Sequence, residues 1–188
     1  MSGPIATLRD DPDLGPVVER VGPVTIEAHA DPFRRLVVSI VRQQLSMASA
    51  RSIREQLFEA VEPTPDAILG TDPAALADAG LSTAKVEALR AVARAHEDHD
   101  WPAAFADQSD REVTDALTAI HGIGPWTAKM YLIFALGRED VFPVEDLGVR
   151  RAMERLFDDP TRAEMRSIAE RWAPYRSYAA RYLWALED

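Results

Sequence analysis

Cysteine is absent from all 188 residues. That excludes disulfides, thiol nucleophiles, thiolate zinc sites and cysteine-ligated iron–sulfur clusters. Lysine is nearly absent. Of the 21 Lys and Arg, only Lys85 and Lys129 are lysine and the other 19 are arginine. No apolar run approaches the roughly 18 residues that a membrane span needs, so no membrane partner is expected. The opening residues, MSGPIATLRDDPD, have neither the basic start nor the apolar run of a signal peptide, and a cytoplasmic location is the expectation. Positive charge is in deficit too. The net charge of −10 argues, taken alone, against a nucleic-acid partner. Abundant Asp and Glu with so little lysine suits a chain soluble in concentrated salt, the reading favoured here, and it also suits a GC-rich genome.

What is present is a helical protein. The hydrophobic fraction of 47% is ordinary for a globular chain, and the length allows one domain or two small lobes with a real core. In DPFRRLVVSIVRQQL, Asp31 is placed to cap a helix whose first residue is Pro32. Phe33, Leu36, Val37, Ile40 and Val41 follow at helical spacing. Met47, Ala50, Ile53, Leu57 and Phe58 mark a second helix. TDPAALADAG carries Asp72 as cap, Pro73 at the start and Gly80 past the end. STAKVEALRAVARAHED puts Val86, Leu89, Val92 and Ala93 on one face. Ser109 with Glu112, and Thr161 with Glu164, have capping-box spacing. Only PVTIEAHA, near residues 23–30, alternates like a strand. The expected class is all-α, with about ten short helices and no repeats.

The most informative stretch is HGIGPWTA, residues 121–128. One capped helix ends near Ile120, and another starts at Pro125 and stops at Gly137. Only His121, Gly122, Ile123 and Gly124 lie between. Such a turn calls for backbone conformations that glycine adopts most readily. Ile123 is placed to tuck between the two helices. Proline at the first helical position loses an N–H that had no helical partner. The neighbouring free N–H groups, at the positive end of the helix dipole, form a seat for phosphate. A plain tight turn between two helices accounts for the glycines equally well.

Four segments, in order, resemble the helix-hairpin-helix DNA glycosylase superfamily, and its 3-methyladenine DNA glycosylase II family in particular. LVVSIVRQQLSMASARSI (36–53) resembles the DNA-wedge segment, and GLSTAKVEALRAVA (80–93) the middle helix. IHGIGPWTAKMYLIFALGREDVFPVEDLGVRRAM (120–153) resembles the hairpin followed by the catalytic aspartate. ERWAPYRSYAARYLW (170–184) resembles the C-terminal helix. His121 stands where many members have proline. Too few residues precede the wedge segment for the N-terminal β domain of larger bacterial members, so the resemblance is to a minimal form.

The resemblance implies two helical lobes, about 31–130 and about 1–30 plus 131–188, with a cleft between them that binds DNA and the extruded base. It implies a monofunctional glycosylase of base excision repair. Such an enzyme flips an alkylated purine of the 3-methyladenine type out of double-stranded DNA and hydrolyses its N-glycosidic bond. By position, Asp146 matches the catalytic aspartate, with Glu145 as the adjacent alternative. Asp146 also reads as a helix N-cap. The helix's positive end and Arg150 one turn on would stabilise its negative charge.

Trp126 stands where lyase-active relatives carry a Schiff-base lysine, so no strand cleavage is implied. Trp126 and Trp184 match positions lining the base pocket, with Tyr131, Met130 and Tyr178 as further candidates. Aromatic faces attract cationic alkylated bases. The hairpin contact to DNA falls on His121, Gly122, Ile123, Gly124 and Thr127. The wedge falls on Gln44, then Leu45 and Gln43. No cofactor is implied beyond a structural Na+ or K+ bridging the carbonyls of Ile120 and Ile123 to phosphate. A monomer is expected. Glycosylases for uracil, hypoxanthine or oxidised bases, and a non-catalytic DNA-binding module, are the competing readings.

Overall fold

The computed structural model describes residues 3–97 and 101–187. The helices α1 (Pro4–Arg9) and α2 (Gly15–Val21) come first. Next are α3 (Pro32–Arg42), α4 (Met47–Ala60), α5 (Pro65–Gly70) and α6 (Pro73–Asp78). They are followed by α7 (Thr83–Glu97), α8 (Trp101–Phe105), α9 (Asp110–Thr118) and α10 (Pro125–Phe134). The chain ends with α11 (Leu147–Leu156), α12 (Arg162–Ala169), a 3-10 turn (Glu170–Trp172) and α13 (Arg176–Trp184). Among the described residues there is no β-strand. The helix expected over STAKVEALRAVARAHED is α7; its last expected residue, Asp98, lies outside the described residues.

Short helices depend on their caps, because nearly every backbone group in them is terminal. Asp31 accepts the Arg34 N–H at 2.8 Å ahead of Pro32. Both capping boxes form: Ser109 with Glu112 and Thr161 with Glu164 each bond in both directions. Each such cap is worth about 1 kcal/mol.

The chain divides into two compact units, residues 29–136 and residues 1–28 with 137–188. In the first, α10 is buried through Thr127, Ala128, Met130, Tyr131, Leu132 and Ile133, hence on nearly every side. It packs on α3 and α9, while α7 packs on α5 and α3. The apolar stripe of α3 (Phe33, Leu36, Val37, Ile40, Val41) is buried as its spacing requires. Met47 departs from the expected apolar face of α4 and is 68% exposed.

In the second unit, α13 plays the same central part. Ser177, Tyr178, Ala179, Ala180, Tyr182 and Leu183 are all buried in it, against α11, α1 and α2. The strand expected over 23–30 does not form. Its alternation is real, since Val24 and Ile26 pack on this unit's core while Pro23, Thr25 and Glu27 face outward. Among the described residues no second strand pairs with it, so it remains a single extended segment.

Candidate functional site

The hairpin turn joins α9 to α10. Gly122 has φ +82°, a conformation that costs any residue with a Cβ. A Cβ there would also collide with the Cβ of Ala88 on α7. Glycine is therefore required twice over. Gly124 is different. As the N-cap of α10 it has φ −94° and ψ 174°, extended backbone open to any residue, and a Cβ would meet nothing within 4 Å. Strain does not account for Gly124, contrary to the sequence expectation. What its missing side chain provides is open space over the first N–H groups of α10. Ile123 is buried between the helices. His121 is exposed, with Nε2 at 3.6 Å from Glu87 on α7.

Thr127 does not offer its side chain to a ligand. It is 1% exposed, and its hydroxyl receives the Gln43 amide at 2.8 Å. The same Gln43 Nε2 donates to the carbonyl of Gly122 at 3.1 Å. Gln43, expected among the wedge residues, is thus spent bracing the hairpin. Gln44 and Leu45 lie beyond it, both exposed. Gln44 holds φ +56°, a strained conformation of the kind that concentrates at functional sites. Below this turn the Lys85 ammonium donates to the Val41 carbonyl at 2.7 Å, and burial lowers its pKa. Trp126 is the second residue of α10 and half-buried; Lys129, three positions on, is also half-buried.

The other unit holds Asp146. It is the N-cap of α11, with Oδ1 accepting the Val149 N–H at 3.0 Å. The indole N–H of Trp184 donates to the same oxygen at 2.8 Å. The cap expected from sequence therefore forms, and the indole shares its acceptor oxygen. Gly148 makes room for the pair: a Cβ there would come within 3.1 Å of Trp184 Cδ1 and 3.2 Å of Asp146 Oδ1. Glu145, the alternative carboxylate, faces Arg166 at 3.9 Å.

The segment leading to Asp146 is tied to α13 by residues that sequence reading missed. The fully buried Ser177 hydroxyl accepts the Val141 N–H at 3.0 Å and donates to the Arg138 carbonyl at 2.7 Å. Arg176 clasps Asp140 through two bonds, 2.8 and 2.9 Å, and reaches Glu170 at 2.8 Å. Arg and Ser side by side at the start of a helix carry no periodic signal, which is why they escaped notice.

The weaker base-pocket candidates are core residues. Met130 and Tyr131 have almost no accessible surface, and the Tyr131 ring stands edge-on to Trp101 and Phe105. Tyr178 is buried and donates to Glu139 at 2.7 Å. Burial first, and that hydrogen bond second, push its phenol up to about 12. We assign all three to packing, because α10 and α13 are buried on almost every side and helical spacing there does not single out a pocket wall.

A sequence model of the family described as HhH-GPD superfamily base excision DNA repair protein matches residues 37–175. The chain is 31% identical over 182 residues to the alkylbase DNA glycosidase-like protein mag2 of Schizosaccharomyces pombe, covering 90% of this chain and 85% of that one. It is 34% identical over 164 residues to DNA-3-methyladenine glycosylase 1 of the same organism, covering 82% and 72%. Among solved structures, it is similar to the S. pombe 3-methyladenine DNA glycosylase Mag1 in complex with abasic DNA. The TM-score is 0.87 at 31% identity, over 97% of this chain and 95% of that one.

Proposed function

The chain belongs to the HhH-GPD superfamily of base-excision DNA repair proteins, and from that membership we propose that it is a monofunctional DNA glycosylase. Its substrate is double-stranded DNA carrying alkylated purines of the 3-methyladenine type, and its reaction is hydrolysis of the N-glycosidic bond. The observation that carries this reading is Asp146, seated on α11 and held through Oδ1 by the Trp184 indole and the Val149 amide.

Loss of a base leaves positive charge on the sugar in an oxocarbenium-like transition state. A fixed carboxylate stabilises that charge without having to reorganise as it develops. The two donors on Oδ1 supply the fixing. A cationic alkylated base leaves readily, so little acid catalysis is required of the enzyme. The N–H groups at the start of α10, uncovered by Gly124, hold a phosphate of the damaged strand. Gln44 and Leu45 fill the space the base vacates.

We also propose a monovalent cation at the hairpin. The Ile120 carbonyl accepts one hydrogen bond, from the Ile123 N–H at 3.1 Å, and a carbonyl has a second lone pair to offer. The Ile120 and Ile123 carbonyls would hold such an ion, which would add charge beneath the phosphate.

The test is release of free bases from DNA treated with a methylating agent, read by chromatography. Release of 3-methyladenine or 7-methylguanine supports the proposal. Release only from uracil, hypoxanthine or 8-oxoguanine duplexes would reassign the substrate. Binding with no release from any of them would make the chain a DNA-binding module.

A further inference from the structure

A chain of net charge −10 must still hold both strands of a duplex that its wedge enters. Backbone N–H groups at one hairpin serve one strand. A groove of about 420 Å³ opens between α3 and α4, with Val38 and Ala50 in its lining together with Arg42, Arg51, Arg54 and Met47. The carboxylate paired with these arginines is Glu55, at 2.8 Å from Arg51 and 3.8 Å from Arg54. Three guanidinium groups facing one carboxylate leave the groove cationic. Arg42 donates to the Met47 sulfur at 3.1 Å, a contact that neutralises none of its charge. Among the described residues, Met47 in this lining and Leu45 two positions before it are exposed large apolar side chains, at 68% and 38%.

The groove is continuous with the wedge. Arg42 ends α3, Met47 begins α4, and only Gln43 to Ser46 separate them. Whatever lies against the wedge turn lies at the mouth of the groove. Charge and lining both suit a sugar–phosphate strand. Guanidinium groups match phosphate oxygens, and an apolar floor matches the faces of deoxyribose.

We propose that the α3–α4 groove seats the DNA strand opposite the flipped nucleotide, with Arg42, Arg51 and Arg54 on its phosphates and Met47, Val38 and Ala50 against its sugars. This rests on the reading of the chain as a glycosylase for damaged duplexes, and it adds the second half of the grip.

The experiment measures binding of the full chain, by fluorescence anisotropy, to duplexes holding a tetrahydrofuran abasic analogue. Uncharged methylphosphonate links replace phosphates near the lesion in one strand or the other. Wild type should lose affinity with either replacement. The variant Arg42→Gln/Arg51→Gln/Arg54→Gln should bind about tenfold or more weakly, with a salt slope shallower by roughly two to three. It should be indifferent to neutral links in the opposite strand while still sensing them in the lesion strand. Glu55→Gln should bind more tightly, which keeps the test decisive if the triple variant melts early. A triple variant with wild-type affinity and slope, or one that still senses opposite-strand neutralisation, overturns the proposal. So does one that loses sensitivity to the lesion strand instead. Base release by wild type is scored separately. Strand sensitivity without release would overturn the enzymatic reading alone, and release without strand sensitivity the groove alone.

Discussion

Trp184 Nε1 and Asp146 Oδ1 lie 2.8 Å apart, and the oxygen that takes the indole proton is the one that caps α11. Asparagine at 146 keeps an acceptor oxygen for both donors, loses the charge and exchanges the other oxygen for an NH2 group. Asp146→Asn should therefore fold with a melting temperature near wild type and still bind abasic DNA. Its single-turnover base release should fall by roughly 10²–10⁴-fold. A rate within about tenfold of wild type would shift the electrostatic role to another group.

Trp184→Phe keeps most of the ring and removes the donor. A hydrogen bond to a charged group is worth about 1.5–3 kcal/mol, so base release should slow by roughly ten- to a hundredfold, mainly in kcat. Gly148→Ala should act the same way from the other side, since its Cβ would press on both Trp184 and Asp146. In the double variant the two effects should overlap rather than add, because both act on one contact. Full additivity in single-turnover rates would show that Trp184 works elsewhere.

The two hairpin glycines should fail differently. Gly122→Ala meets both a left-handed backbone and the Ala88 Cβ, a cost of about 2–4 kcal/mol that a thermal melt would register. A Cβ at Gly124 meets no neighbour within 4 Å, so Gly124→Val should melt close to wild type. It should nonetheless weaken binding to every duplex, damaged or not, by standing over the first amides of α10. Unchanged affinity would reduce the hairpin to a connector.

Gln43→Leu deprives the Gly122 carbonyl and the Thr127 hydroxyl of their shared donor; water can replace it at the exposed carbonyl, and the buried hydroxyl left short of a partner costs about 1–3 kcal/mol. Base flipping, followed by 2-aminopurine fluorescence beside the lesion, should weaken more than binding to intact duplex. In a Gln44→Ala background the flipping defect should shrink, since the brace then supports no plug. An equal defect in both backgrounds would confine Gln43 to holding the hairpin.

The product should be intact abasic DNA. Trp126 stands at the start of α10, and an indole cannot form a Schiff base with the sugar aldehyde. Borohydride should trap no covalent complex, and strands should break only after alkali. A trapped complex abolished by Lys129→Ala would make the enzyme bifunctional.

Caps and periodic stripes were readable from sequence because they are local. Asp31 with Pro32, the Ser109 and Thr161 boxes and the α3 stripe each declare themselves within a few residues. So did Asp146 as the cap of α11. Contacts between distant segments left no such trace. Gln43 reads as a wedge residue until its amide is seen on Gly122 and Thr127, dozens of residues later. The Ser177 and Arg176 clasp on residues 138–141, and the space Gly148 leaves for Trp184, depend on tertiary packing alone. Residues 23–30 misled for the converse reason: half-burial of an extended segment writes the same alternation whether or not a neighbouring strand completes it.

Within one turn of α7, Lys85 holds the end of α3, Glu87 faces His121 and Ala88 packs under Gly122. If the 43–46 turn is the wedge and the start of α10 the phosphate seat, as proposed above, α7 sets the spacing between them like the frame of a caliper with two jaws. A stiff, fully stacked duplex can satisfy one jaw or the other. A duplex that kinks cheaply, as one with a poorly stacked base does, satisfies both. On the proposed reading, the spacing built into α7 would make the bendability of DNA a quantity sensed before any base has left the helix.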